Sequence, residues 1–165
     1  MPNFTTAAQR CQITTPLGAM TLAATNTALL GAWFEGQQHQ PDVAQWPLAD
    51  RHPVLAQAAA QLQQYFAGQR QQFELPLDLS AGTPFQQDIW RALLALGHGH
   101  TSSYGAIAST VQRDRAVRAV GAAVGRNPIS IIVPCHRVLG ANGALTGYAG
   151  GLERKTALLQ LERSA

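Results

Sequence analysis

The chain has 165 residues, of which 46% are hydrophobic and 13% charged, with a formal net charge of +3. That length holds one large domain or two small ones with a real core, and the two cysteines, Cys11 and Cys135, lie far apart and outside any CxxC pattern. A disulfide scaffold and a zinc cage are therefore not expected. The opening residues, with Pro2 and Asn3 among Thr and Gln, hold no signal-peptide apolar stretch and no run approaches a membrane span, so the expectation is a soluble cytoplasmic protein.

In chain order, Ile13 to Thr15, Met20 to Ala24 and Leu29 to Phe34 read as antiparallel strands, with Pro16-Leu17-Gly18 as a turn and Asn26 punctuating the second pair. Pro53 to Phe66 follows as a helix, its Leu55, Ala59, Leu62 and Phe66 recurring at helical spacing before the stop at Gly68. Phe73 to Leu77 could add a short strand, and Leu77 to Gly82 reads as a linker. Thr83 opens the next helix as N-cap, with Pro84 at the first helical position and Gln86 completing a capping box. That helix is expected to run to about Leu96, with Phe85, Ile89, Leu93 and Leu96 as its core stripe.

Two short helices come next, Tyr104 to Val111 and about Arg115 to Val124, joined by the polar turn Gln112-Arg113-Asp114, a helix-turn-helix signal. After the break at Gly125-Arg126-Asn127-Pro128, the sequence predicts a strand around Ile131, a glycine-rich loop from Gly140 to Gly151 and a last helix from Leu152 to Glu162. The expected architecture is an α/β N-terminal unit of antiparallel hairpins plus a helix, residues 1–79, and a mainly α C-terminal unit, residues 80–165, holding the helix-turn-helix.

Charge is unevenly placed. Arg113, Arg115, Arg118 and Arg126 cluster with Asp114 as the only acid, and Arg137 follows, which suggests a polyanionic partner or a solvated helix face. On a helical wheel Val117, Val120 and Val124 share one sector, expected to face the core, opposite Arg118, Ala119 and Ala122. A face of alanines with one arginine is short enough to approach a narrow minor groove, whereas base reading in the major groove needs longer polar side chains; packing against another protein segment is the equal alternative.

The run Ile131-Ile132-Val133-Pro134-Cys135-His136-Arg137-Val138 carries the chemistry. Pro134 ends or bends the strand where the thiol projects, and His136 supplies a base beside it. A buried cysteine that merely closes a strand would need neither.

Pro134-Cys135-His136-Arg137-Val138, the preceding Gly125-Arg126-Asn127-Pro128, the Ser103-Tyr104-Gly105 opening and Gly147-Tyr148-Ala149-Gly150-Gly151 together resemble the methylated-DNA–protein-cysteine methyltransferases, the alkylguanine-DNA alkyltransferases of direct repair. The match runs in order and spacing from about Thr83 to Glu162, and the N-terminal hairpins plus helix look like that family's ribonuclease-H-like domain. The resemblance implies irreversible transfer of an alkyl group from O6 of guanine, with O4 of thymine as a further substrate left open, to Cys135 in a single turnover on a flipped-out base. It implies a partner of double-stranded DNA gripped through the minor groove by a monomer, and neither cofactor nor metal.

By the same resemblance Glu162 orients His136, which takes the thiol proton through a water, and Tyr104 shares a proton with the guanine ring. Asn127 buttresses the turn, Tyr148 walls the pocket with Val124 beside it, and the Val138 backbone bonds the guanine amino group. Arg118 inserts as a finger, with Ala119, Ala122 and Arg115 against the duplex. Ala149 stands where many relatives carry serine, leaving only its backbone N–H for guanine O6, and Ser130 stands where some carry proline, which would alter tolerance for bulky alkyl groups. His98 and His100 lack enough partners for a metal, and Cys11 reads as a core or strand residue. Two rival readings are a lesion-recognition module without transfer, which Cys135 disfavours, and a helix-turn-helix regulator, which the alanine face disfavours.

Overall fold

The structure is a computed structural model that describes residues 3–4, 7–49 and 51–164. The reading of Pro2 and the outer ends of the two expected units, Met1 and Ala165, lie outside the described residues. Strands β1 (Gln9–Thr15), β2 (Gly18–Ala24) and β3 (Leu29–Phe34) form an antiparallel sheet in that order. The first reversal is tight: Thr15 Oγ1 accepts from Leu17 N at 3.1 Å and donates to Gly18 O at 2.7 Å, and Gly18 takes φ +117°, which suits glycine.

Both faces of β3 are buried. Leu29, Ala32 and Phe34 join the main core with Met20 and Leu22, while Leu30 and Trp33 turn to a smaller cluster where Trp33 stacks on Trp46 at 5.9 Å and Phe4 meets both edge-on. Helix α1 (Pro53–Phe66) covers the main face. Its N-cap is His52, whose Nδ1 accepts from Val54 N and Leu55 N while Nε2 donates to Thr25 O at 2.8 Å, so the helix start is tied to the β2–β3 turn.

Helix α2 (Pro84–Leu94) begins with the predicted capping box, Thr83 and Gln86 bonding reciprocally. It ends two residues earlier than expected, because Ala95 and Leu96 already tighten into three-residue hydrogen bonds to Ala92 and Leu93. The short strand β4 (Ser102–Ser103) leads into α3 (Tyr104–Thr110), capped by Ser103. After a turn, α4 (Val117–Gly125) packs on α2 and α3, and Trp90 Nε1 donates to Ala123 O at 2.9 Å. Strand β5 (Val138–Leu139) pairs in parallel with β4, and α5 (Leu152–Ser164) closes the chain. Among the described residues no helix is long and apolar enough to cross a membrane.

Three local expectations are corrected. The strands predicted at Phe73–Leu77 and at Ile131 shrink to single bridges on the free edge of β3, Leu77 opposite Leu29 and Ile129 opposite Ala32. Pro76 and Pro128 lend their carbonyls but have no N–H to extend a ladder, and Ile131 turns away at φ +73°. Val117 does not face the core. It is 41% exposed, and Ala123 takes its place beside buried Val120 and Val124. Cys135 and His136 lie in a tight helical turn, Cys135–Arg137, that follows the bend at Pro134.

Candidate active site

The turn that carries Cys135 is shaped by Asn127. Its Oδ1 accepts from Ile129 N at 2.9 Å, and its Nδ2 donates to Val133 O at 2.7 Å, clamping the segment between them. Ile132 N reaches Ser130 O at 2.9 Å across Ile131, a three-residue turn whose positive φ is costly for a β-branched side chain. A second such turn joins Cys135 N to Val133 O at 2.8 Å over Pro134. The chain thus doubles back immediately before the thiol.

His136 is fully buried, and its Nε2 lies 2.7 Å from Glu162 Oε2. Since a carboxylate only accepts, Nε2 carries the hydrogen, and in the neutral ring Nδ1 keeps its lone pair. That Nδ1 is buried and has no hydrogen-bond partner. Glu162 is over-supplied with donors: Arg137 grips it through Nε at 2.8 Å and Nη2 at 3.0 Å, and Tyr65 Oη donates to Oε2 at 2.7 Å. Arg137 also donates to Leu96 O at 2.6 Å. It is therefore an internal ion-pair residue and not part of a surface basic cluster.

Burial alone would raise the Glu162 pKa, but the bonds from His136 and Arg137 win and hold the carboxyl well below the usual carboxylate range. Burial holds the His136 imidazole below its ordinary range, against the pull of Glu162. Both groups sit below their unfolded values, so the stability they contribute is complete above the imidazole range. It declines as pH falls below about 6.5 and declines further through the carboxylate range. Urea midpoints measured at pH 7.5 and 5.5 should fall with the acidity; a flat profile would sink this account.

Cys135 is 6% exposed, and burial pushes its thiol up to about 11, with the Asn127 amide and the Lys155 charge pulling the other way. Lys155 is 0% exposed; its Nζ donates to Val138 O at 2.7 Å and Thr146 O at 2.8 Å, pinning the glycine-rich loop to β5. The sulfur opens onto a cavity of about 130 Å³, also walled by Tyr104, Val124, Tyr148 and Ala149. The Tyr148 ring passes so near Gly150 that a Cβ there would stand 2.7 Å from it, which explains a glycine at that position.

Of the other expected site residues, Ser130 and Val138 are buried outside the cavity lining, Ser130 touching Gln37 and Val138 touching Lys155. Arg118, Ala119 and Ala122 are exposed on α4, and Arg115 is exposed just before it. His98 packs edge-on against Tyr65 at 6.1 Å, and His100 Nδ1 lies 3.1 Å from His98 O. Cys11 is half-buried in β1 against the core. The sequence reading missed Tyr65, Lys155, and the cavity residues Gln38 and His39.

Two family descriptions match the chain: the ribonuclease-like domain of 6-O-methylguanine DNA methyltransferase over residues 12–79, and its DNA-binding domain over residues 84–164. A Mycobacterium tuberculosis methylated-DNA–protein-cysteine methyltransferase is 47% identical over 152 residues, covering 92% of this chain and 90% of that protein. The inducible enzyme of that name from Bacillus subtilis is 44% identical over 149 residues, covering 84% and 83%. The crystal structure of the Mycobacterium tuberculosis O6-methylguanine methyltransferase superposes with a TM-score of 0.86 at 46% identity, covering 95% of this chain and 93% of that one. A Mycobacterium tuberculosis relative in complex with DNA gives 0.85 at 45%, covering 96% and 93%. With its thiol and buried imidazole on the same scaffold as these proteins, the chain belongs to the methylated-DNA–protein-cysteine methyltransferase family.

Proposed function

We propose that the chain repairs O6-alkylated guanine in double-stranded DNA by moving the alkyl group onto Cys135, one lesion per protein molecule, acting as a monomer. The observation that carries this reading is the unpartnered, buried Nδ1 of His136, a base held ready on the residue next to a thiol that opens onto a cavity. Through a water, Nδ1 takes the Cys135 proton, and the positive charge that develops on the ring faces the Glu162 carboxylate. The sulfur then displaces in line: the S–C bond forms as the C–O6 bond breaks, and the electron pair leaves with the base. Tyr104 shares its phenolic proton with the guanine ring as that charge builds, so the base departs neutral. The product is a thioether, which water does not cleave, and the second cysteine, Cys11 in β1, does not line the cavity.

The target must leave the stack to reach the cavity. Flipping costs a few kcal/mol, least where the lesion has already weakened its pair. The exposed Arg118, Ala119 and Ala122 give α4 a low face for the minor groove, with Arg118 filling the gap left by the base and Arg115 beside the backbone. Ala149 offers guanine O6 only its N–H. Incubation with duplex carrying O6-methylguanine should add one methyl mass to the Cys135 peptide; repeated turnovers per protein molecule would overturn the reading.

Arg118→Ala tests the finger. Repair in duplex DNA should fall by about 10- to 100-fold, the rate equivalent of part of an unstacking cost of a few kcal/mol, with less loss on the free modified base. Equal losses on both substrates would assign Arg118 to folding.

A further inference from the structure

The cavity beside Cys135 is not built by the C-terminal half alone. Most of its lining comes from α3, α4 and the glycine-rich loop, but one side is closed by Gln38 and His39, which follow β3 in the N-terminal half. This segment is tied down at both ends of its reach. Gln38 N donates to Ala149 O at 3.0 Å, which joins it to the wall that carries Tyr148. The buried Gln37 side chain accepts from Phe34 N at 2.8 Å and from Ser130 Oγ at 3.4 Å, while its Nε2 donates to Gln38 O at 3.2 Å. Gly36 N is held by Gln40 Oε1 at 3.1 Å.

His39 itself takes φ +63°, a left-handed conformation for which histidine is among the better-suited non-glycine residues. That conformation turns an exposed residue of the N-terminal half onto the mouth of the cavity. The rest of the lining mixes Tyr104, Val124 and Tyr148, all packed in or against the core, with Gly121, Gly125 and Gly147, which carry no side chain, and Ala149, which carries only a methyl. The imidazole is therefore the largest side chain on the cavity that neither packs in the C-terminal core nor bonds to it.

Building on the alkyl-transfer reading above, we propose that the Gly36–Gln40 segment is a lip that limits the size of the alkyl group, with His39 as the side chain that excludes bulky adducts. Ser130 then acts on size selection at second hand: it does not line the cavity, and its hydroxyl reaches the lip through the Gln37 amide. A methyl group needs only the space at the sulfur. A benzyl group carries six more carbons, and in a cavity of about 130 Å³ the imidazole at the lip occupies space that they need.

The test is the ratio of transfer rates on O6-benzylguanine and O6-methylguanine in the same duplex, read by mass on the Cys135 peptide. His39→Gly removes the imidazole and keeps the left-handed backbone; His39→Asn keeps that backbone preference with a smaller side chain. The benzyl-to-methyl ratio should rise by about tenfold in the glycine variant, at the low end of what one pocket wall discriminates, and by less in the asparagine variant. An unchanged ratio in both variants, with methyl still taken up by Cys135, overturns the lip. Equal loss on both lesions with weaker duplex binding would make His39 a DNA contact and also overturns it. Absence of methyl on Cys135 in the unaltered protein would instead sink the alkyl-transfer reading itself.

Discussion

Glu162→Ala is expected to cost about 3–5 kcal/mol of stability, the range for removing one partner of a buried ion pair. The carboxylate is the shared acceptor for three buried donors, and its loss leaves the Arg137 guanidinium with only the Leu96 carbonyl among its bonds. The Tyr65 hydroxyl and His136 Nε2 would be orphaned at the same time. Because such a variant could lose activity merely by unfolding, Glu162→Gln separates the two roles. The amide keeps the shape and one accepting oxygen, so its cost should be nearer 1–3 kcal/mol. Its NH2 group can meet His136 Nε2 as a donor, which favours the tautomer with hydrogen on Nδ1 and removes the lone pair proposed to take the thiol proton. Transfer should then fall by about 10²–10⁴-fold, the usual worth of a positioned base, in a protein that still melts cooperatively. A folded Glu162→Gln variant with unimpaired transfer would remove His136 from the mechanism.

Much of the fold was legible because local chemistry and tertiary packing agree. The helix at Pro53–Phe66 has the expected bounds, although its buried stripe runs through Leu55, Ala58, Leu62 and Tyr65 with Ala59 and Phe66 half-buried, and the Thr83–Gln86 box forms as written, since it satisfies its own backbone groups locally. The failures share a cause. Ile131 and its neighbours are β-prone, but the Asn127 clamp and the bridge of Ile129 to Ala32 override that propensity with a reversal. Val117 is the first residue of α4, where a wheel drawn from Ala116 assumes packing that the helix end does not make.

The site was legible as a set of motif residues but not as a network. Tyr65 and Glu162 lie 97 positions apart, and nothing local marks their contact. Two signals were available all the same. Tyr65 falls on the buried stripe of α1 with Leu55, Ala58 and Leu62, and a phenol in a core needs an acceptor. Lys155, Leu158, Leu159 and Glu162 share one face of α5 at core spacing, so a cation and a carboxylate occupy the two ends of an apolar stripe. Charged residues in such positions are buried only when paired or fully bonded, as both are here. The lip after β3 left no comparable trace, because its partner Ala149 lies far along the chain and meets it through backbone.

Cys135→Ala should abolish alkyl uptake while leaving duplex binding within about twofold, a few tenths of a kcal/mol, since the buried thiol is not among the residues proposed to meet the duplex. The residue is 6% exposed and lines the cavity, whereas Arg118, Ala119 and Ala122, proposed to meet DNA, are exposed on α4. The resting thiol gives a second, sharper expectation. With its pKa pushed up to about 11 by burial, only about one molecule in 10⁴ carries the thiolate at pH 7. A small haloacetamide should therefore label Cys135 slowly at neutral pH, with a rate that climbs close to tenfold per pH unit between 7 and 9. Lesion DNA should escape that slope if, as proposed, a seated base brings the alkyl carbon to the sulfur while His136 Nδ1 takes the proton in the same event. Equal pH slopes for the two reagents would mean that both draw on the same small thiolate population, formed before the lesion arrives, and proton uptake by His136 would then not be coupled to transfer.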